Sequence, residues 1–148
     1  MSDNSSNKIV HIHLGEKNYR TVMHGGRHEL ISDEPVNKGG EDLGPDPYDY
    51  LLMSLGSCSV ITMKMYADRK KWPVDELFIE MSHYKKEVEG EDGKPEKQDV
   101  IEKEVIVKGD LTDEQVERLI EISKKCPVHR TLMKSVDIVT LPEKKSAG

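Results

Sequence analysis

The sequence predicts an α+β domain in which antiparallel sheets surround one long central helix that carries a cysteine. Three observations support this prediction. Residues 46–72 form the longest apolar segment and have the end signals of a helix. Residues 8–32 and 77–108 contain stretches of alternating apolar and polar side chains, as strands do. A second amphipathic pattern begins at Thr112. The predicted order is three strands, a long helix, two strands, a helix and a strand.

The length and composition favour one domain, 1–148, with polar ends at 1–7 and 143–148 that we expect to be disordered. The net charge of -6 argues against a nucleic-acid partner, whose phosphates would be repelled. Lys64 and Asp68 interrupt the longest apolar run, so no membrane span is expected. The beginning of the chain, MSDNSSNK, lacks the pattern of a signal peptide, and we therefore expect a cytoplasmic protein.

The first strands follow from alternation and turn residues. Lys8–Leu14 and Tyr19–His24 alternate on either side of a turn and predict a hairpin. Gly25-Gly26 ends the hairpin, and Arg27–Ser32 is a third candidate strand. Residues 33–46 are rich in glycine, proline and acidic side chains, which indicates a loop that leads to the long helix.

The long helix has clear boundary signals. Asp46 can cap it, Pro47 suits its first position, and Asp49 can complete a capping box. Basic residues and then Trp72-Pro73 end it. Small side chains surround Cys58 and would let a substrate or another backbone approach the sulfur. The helical repeat places one apolar set on a common face: Leu51, Leu55, Cys58, Thr62 and Met65.

The second half of the chain predicts a ribbon and a shorter helix. Leu77 to about Val88 and Val100–Lys108 alternate, and the charged loop Glu89–Lys97 joins them. A capping box at Thr112 opens the second helix, whose buried face ends at Cys126. We expect Pro127 to bend or end this helix, and Val136–Leu141 to form the last strand.

Cys58 and Cys126 are the residues best suited to chemistry. Both lie on apolar helix faces, and two such thiols can act as an attacking thiolate and its resolving partner. The alternative is a pair of inert buried thiols that never meet, because free cysteine often behaves as a small hydrophobic residue. In a reducing compartment a bond between them would be transient rather than structural.

A reactive thiol in an apolar site needs a neighbouring cation to favour the thiolate. Arg27 is the first candidate, because the preceding Gly25-Gly26 can turn its side chain inward. An ordinary surface arginine is the alternative, since most arginines are exposed. Other cations could serve instead: Arg20, Arg69, Arg130 and His129.

Asp49 has a capping role, and the question is whether it also acts on the Cys58 thiol. Nine helical residues separate it from Cys58, a span of about 13–14 Å. The two side chains also point in roughly opposite directions. If Asp49 serves the thiol, either a second subunit supplies it or it acts through an arginine.

A metal site is not expected. The six histidines lie outside any HExxH pattern, and His11 and His13 share a strand face without a third ligand nearby. An acyl-transfer pair formed by Cys58 and His129 remains open, although no nucleophile-elbow sequence supports it.

Two segments, GPDPYDYLLMSLGSCSVITMKMYADRKKWP and CPVHRTL, resemble the OsmC/Ohr family of hydroperoxide-detoxifying proteins, in its OsmC-like branch. The resemblance extends from about His24 to Leu141. It implies an intertwined α+β homodimer with active sites at the subunit interface. It also implies that Cys58 is the peroxidatic cysteine, that Cys126 resolves its sulfenic acid as a disulfide, and that a dithiol reductant restores both. No metal, haem or flavin cofactor is implied.

The chain departs from the hydroperoxide enzymes at the helix start. Those enzymes carry a glutamate directly after the proline, where this chain has Tyr48, with the carboxylate of Asp49 one position later. Arg27 follows a Gly-Gly pair as the catalytic arginine of those enzymes does, but the segment to the cysteine helix is shorter. The expected function is reduction of organic hydroperoxides, with Arg27 stabilising the thiolate and Asp49 orienting Arg27. The alternative is a non-catalytic small-molecule-binding or stress protein on the same fold.

Overall fold

The computed structural model describes residues 7–142. The chain divides into two compact units, Met1–Met53 and Ser54–Gly148. The expected disorder at 1–7 and 143–148 concerns residues outside the described range, apart from the exposed Asn7. Within residues 7–142, no helix is both long and apolar enough to cross a membrane.

The first unit begins with a three-stranded antiparallel sheet, which confirms the three predicted strands. β1 (Val10–Leu14), β2 (Thr21–Gly25) and β3 (His28–Ser32) lie in the order β1-β2-β3. Gly26 occupies the turn between β2 and β3 with φ of +59°, a conformation that glycine adopts without strain.

Asp33 organises the loop that follows the sheet. Its carboxylate accepts backbone hydrogen bonds from Glu34, Glu41 and Leu43 at 2.8, 3.3 and 3.2 Å. Burial alone would raise the pKa of the Asp33 carboxyl, but these bonds and the charge of Arg20 bring it below its usual value. The loop is therefore an ordered element, with one 3-10 turn at Val36–Lys38.

The long helix α1 (Pro47–Lys70) begins in the first unit as predicted. Asp46 Oδ1 accepts from the backbone N–H of Asp49 at 2.8 Å, and Asp49 Oδ2 accepts from the N–H of Asp46 at 3.1 Å. This reciprocal pair is a capping box built from two aspartates.

In the second unit, the buried stripe of α1 differs from the predicted face. The buried residues recur at every fourth position: Leu55, Ser59, Met63 and Ala67. Met65, predicted to lie on the buried face, is 57% exposed. The small side chains of Ser59 and Ala67 let neighbouring elements approach α1, so size as well as hydrophobicity decides which stripe faces the core. The apolar core consists of Met63, Ala67 and the second-helix residue Leu119.

The predicted ribbon is confirmed and is longer than expected. β4 (Val74–Glu89) and β5 (Pro95–Gly109) pair antiparallel from Val74↔Gly109 to Glu89↔Pro95. The expected loop Glu89–Lys97 is therefore wrong at both ends, because the actual turn contains only residues 90–94. Backbone pairing extends through these charged residues because their side chains remain exposed on both faces.

Two helices, rather than one, follow the ribbon. α2 (Asp113–Ser123) begins with the predicted capping box between Thr112 and Gln115. α3 (Pro127–Met133) is a separate helix with Cys126 as its N-cap. The expected position of Cys126 at the end of the α2 face is therefore wrong. Pro127 lacks an N–H and suits a first helical position, so the chain starts a new helix there.

The expected final strand at Val136–Leu141 is not formed. Residues 135–142 have no regular secondary structure, and Ile138, Val139 and Leu141 are 87%, 75% and 80% exposed. Alternation alone cannot form a strand, because its backbone groups need a neighbouring strand to pair with.

Candidate functional site

Cys58 lies in the middle of α1 and is partly exposed, whereas Cys126 is fully buried. Both are free thiols. Gly56, one half-turn before Cys58, packs against β4, since a Cβ there would lie 3.0 Å from Met81 Sδ. The absence of a side chain at this position lets the ribbon approach α1 beside the thiol.

Helix α3 positions the second thiol. Cys126 Sγ accepts a hydrogen bond from the backbone N–H of His129 at 3.2 Å, as an N-cap side chain does. Its sulfur lies 3.5 Å from Ser59 Oγ on α1. Ser59 is the residue after Cys58, and the Cys58 thiol is among the groups that lower the Cys126 pKa. The structure therefore places Cys126 against the part of α1 that carries Cys58.

Lys103 connects these elements from β5. Its Nζ donates to Ser59 Oγ at 3.2 Å and to the carbonyl oxygen of Ser123 at 2.9 Å. Its third partner is His129 Nδ1 at 3.0 Å. Three acceptors match the three N–H bonds of an ammonium group, whereas a neutral amine has only two. An ammonium can only donate, so a neutral His129 ring carries its proton on Nε2.

The charges of this cluster favour an ionised Cys126. Burial raises the pKa of the thiol, but hydrogen bonds from Ser59, His129 and Cys58 and the charge of Lys103 lower it below its ordinary value. Burial also lowers the pKa of Lys103, and the nearby Cys126 and Cys58 sulfurs oppose that effect. Burial and the Lys103 charge lower the pKa of His129, so its ring favours the neutral form.

Ser59 can adapt to either state of Cys126. Its hydroxyl donates to the Leu55 carbonyl oxygen at 2.8 Å and has only one proton. When the thiol is protonated, its S–H can donate to Ser59 Oγ. When Cys126 is a thiolate, Ser59 can redirect its proton to the sulfur, while Lys103 still donates to the hydroxyl oxygen.

Arg27 and Asp49 lie in the first unit. Arg27 is exposed in the turn between β2 and β3, and Asp49 forms the capping box with Asp46. Their assigned roles at the thiol therefore stay predictions. The acyl-transfer alternative required a ring nitrogen of His129 for Cys58, but His129 Nδ1 is bonded to Lys103.

Lys103 and Ser59 belong to the site, although neither was predicted from the sequence. Lys103 carried a usable signal, because it is the charged member of an alternating set that otherwise contains Ile101, Val105 and Val107. Ser59 had only a small side chain next to the cysteine. Among the residues described, no three His, Cys, Asp or Glu side chains are placed to hold a metal ion.

A sequence profile of the family described as OsmC-like protein matches residues 39–140, which include both cysteines and Lys103. The chain belongs to the OsmC-like protein family. No curated protein sequence matches it.

Solved structures of OsmC-like proteins share this fold. An OsmC-like protein from Mycoplasma pneumoniae is 19% identical with a TM-score of 0.70, over 86% of this chain and 88% of that one. An organic hydroperoxide resistance protein OsmC from Legionella pneumophila is 17% identical with a TM-score of 0.60, over 88% and 91%. An organic hydroperoxide resistance protein from Elizabethkingia anophelis is 16% identical with a TM-score of 0.61, over 84% and 86%. At these identities the similarity establishes the OsmC fold.

Proposed function

We propose that this OsmC-like protein is a thiol-dependent peroxidase that reduces organic hydroperoxides. The observation that carries the proposal is that two free thiols lie at one place on α1: the Cys126 sulfur is 3.5 Å from Ser59 Oγ, and Ser59 directly follows Cys58. Cys58 is the more exposed of the two and is accessible to a substrate, whereas Cys126 is buried. Hydroperoxide resistance proteins among the structural relatives agree with this chemistry.

The reaction proceeds in three steps. The Cys58 thiolate attacks the distal peroxide oxygen, the O–O bond breaks, and the alkoxide leaves as an alcohol after taking a proton from solvent. The Cys126 thiolate then attacks the sulfur of the Cys58 sulfenic acid, and the oxygen leaves as water after protonation. A dithiol reductant reopens the disulfide and is itself oxidised.

Arg27 and Asp49 complete the proposed site, with Arg27 stabilising the Cys58 thiolate and Asp49 orienting Arg27. The helix length that separates Asp49 from Cys58 favours their supply by a second chain. In the homodimer that we propose, each active site then contains residues from both chains.

Exposed apolar side chains of the second unit support such a dimer. A single chain rarely leaves so many apolar groups in water unless a partner covers them. They occur on α1, on both ribbon strands and after α3: Ile61, Met65, Phe78, Ile106, Ile138, Val139 and Leu141. Light scattering of the purified protein should give twice the chain mass. A monomer at all concentrations contradicts the shared site.

Intact mass measurement tests the peroxidase reaction. One equivalent of cumene hydroperoxide should remove two hydrogens, about 2 Da per chain, as the disulfide forms. Cys126→Ser should stop at a Cys58 sulfenic acid that a dimedone probe labels. A small-molecule binder without catalysis would keep its mass or gain only scattered methionine oxidation. Full activity in Cys58→Ser would contradict the assignment.

Mixed dimers test whether Arg27 acts across the interface. Neither Arg27→Ala nor Cys58→Ser should be active alone. A heterodimer of the two variants has one site with Cys58 from one chain and Arg27 from the other. Peroxidase activity in this heterodimer supports the shared site, whereas an inactive mixture places both residues in the same chain. The cytoplasmic location expected from the sequence stays a prediction.

A further inference from the structure

We infer that Lys103, acting through Ser59, holds Cys126 as a thiolate and thereby sets the direction in which the Cys58–Cys126 disulfide forms and opens. This inference rests on the proposed peroxidase function and assigns a positioning role to a residue on β5. Lys103 does not contact the substrate or Cys58 in this role.

The contacts of Lys103 make it a fixed cation. Its three bonds come from three different elements: Ser59 on α1, Ser123 at the end of α2, and His129 on α3. A lysine side chain held on three sides cannot swing to the surface without losing these bonds. Its charge therefore stays beside the Cys126 sulfur.

Ser59 links the Lys103 ammonium to the Cys126 sulfur through its hydroxyl group. Lys103 Nζ lies 3.2 Å from Ser59 Oγ, which in turn lies 3.5 Å from Cys126 Sγ. When the hydroxyl oxygen accepts from the ammonium, its own proton becomes a better donor to a thiolate. The His129 N–H supplies a second donor to the same sulfur at 3.2 Å.

The other charged groups around Cys126 do not replace Lys103. Lys124 lowers the pKa of Lys103 and of His129 as a like charge, whereas the cation that lowers the Cys126 pKa is Lys103. The His129 ring favours the neutral form, and Cys58 is itself a thiol. Lys103 is consequently the main nearby positive charge within the described residues.

A stabilised Cys126 thiolate affects both halves of the cycle. During oxidation, it is ready to attack the Cys58 sulfenic acid. During reduction, a thiolate of the dithiol attacks Cys58 Sγ, the S–S bond breaks, and Cys126 leaves with the electron pair. The better leaving group departs faster, so the mixed disulfide should form on the more exposed Cys58. The second reductant thiol then releases Cys58.

Titration of Cys126 tests the inference without any peroxide. Thiolate absorbance is measured against pH in Cys58→Ser, with Cys58→Ser/Cys126→Ser as the blank. Adding Lys103→Met should move the midpoint to higher pH and reduce the thiolate fraction below that midpoint about tenfold, as loss of one neighbouring cation does. Lys103→Arg should restore most of the shift.

Lys108→Met is the matched control, because Lys108 lies on the same strand and its Nζ is placed over the Phe78 ring. It removes the same charge and should leave the midpoint in place. An unchanged midpoint in Lys103→Met, or an equal shift in Lys108→Met, overturns the inference. If Lys103→Met does not fold, Ser59→Ala tests the same link, and an unchanged midpoint there also overturns it.

The direction of reduction gives a second measurement. The disulfide is formed with diamide, so the test does not depend on peroxidase activity. Limiting monothiol should give an adduct on Cys58 in the otherwise unmodified protein, and Lys103→Met should slow adduct formation several-fold. Adducts mainly on Cys126 contradict the inference. A normal titration with no reaction toward hydroperoxides would instead contradict the proposed function alone.

Discussion

Met63 and Met65 offer a matched test of which face of α1 forms the core. Both are methionines on the same helix, two residues apart, yet Met63 is fully buried and Met65 is 57% exposed. Methionine and alanine have similar helix propensities, so Met63→Ala and Met65→Ala change the helix itself by similarly small amounts. The difference between the two variants therefore reports packing.

The structure sets the loss of stability expected for each variant. Met63 packs in the core with Ala67 and Leu119, and partly buried Trp72 and Leu77 pack around them. Removing a buried methionine side chain costs about 2–5 kcal/mol in the free energy of unfolding. For a chain of this length, a loss of about 3 kcal/mol lowers Tm by roughly 6–12 °C. Met65→Ala in a single chain should change stability by less than about 0.5 kcal/mol.

Urea unfolding followed by Trp72 fluorescence measures both variants, since Trp72 borders the same core. Excess reductant keeps both cysteines as thiols. A Met63→Ala loss under about 1 kcal/mol would refute the packing argument. A Met65→Ala loss that depends on protein concentration would indicate that a second chain covers this face, as the proposed dimer requires.

Three further predictions concern local structure. Thr112→Ala removes the α2 capping box and should cost about 1 kcal/mol in thermal unfolding, whereas a neutral result contradicts the cap's role. Because the folded pKa of Asp33 is lowered, its carboxylate stabilises the fold above the unfolded pKa and loses that effect as pH falls through the folded one. Asp33→Asn should therefore flatten the loss of stability below about pH 4, and an unchanged acid profile would contradict this. Gly40→Ala would place a Cβ 1.9 Å from a backbone oxygen, whereas Gly26→Ala has open space and strains only its positive φ. Gly40→Ala should therefore lower Tm more than Gly26→Ala, which should cost about 1 kcal/mol, and the reverse order would contradict the loop packing.

Local signals predicted the elements of this fold well. The Asp46–Asp49 and Thr112–Gln115 capping boxes both occur where residue types and spacing indicated them. These features depend on neighbours within four residues, so they can be read directly from the order of the side chains. The final strand could not be predicted correctly in this way. Residues 136–141 would need a neighbouring strand to pair with, and local alternation does not specify one.

Only part of the candidate site could be predicted from local sequence signals. Cys58 and Cys126 were recognisable by their residue type and by the motifs around them. For Lys103 the sequence offered only its place in an apolar row, and a lysine on a strand is usually solvated, so its role became evident from its hydrogen-bond partners. Those partners come from three elements that are distant along the chain: Ser59, Ser123 and His129.

The sequence by itself determined the α+β class, the order of most elements, the helix starts and the two thiols that define the family resemblance. Each of these depends on local periodicity, capping or motif spacing. Only the tertiary structure decided that Cys126 caps a separate helix and that Met65 faces outward. It also decided that the half-buried Lys103 is hydrogen-bonded to Ser59, Ser123 and His129. The reason is that burial and electrostatic environment arise from side chains far apart in the chain, whose proximity no local pattern records.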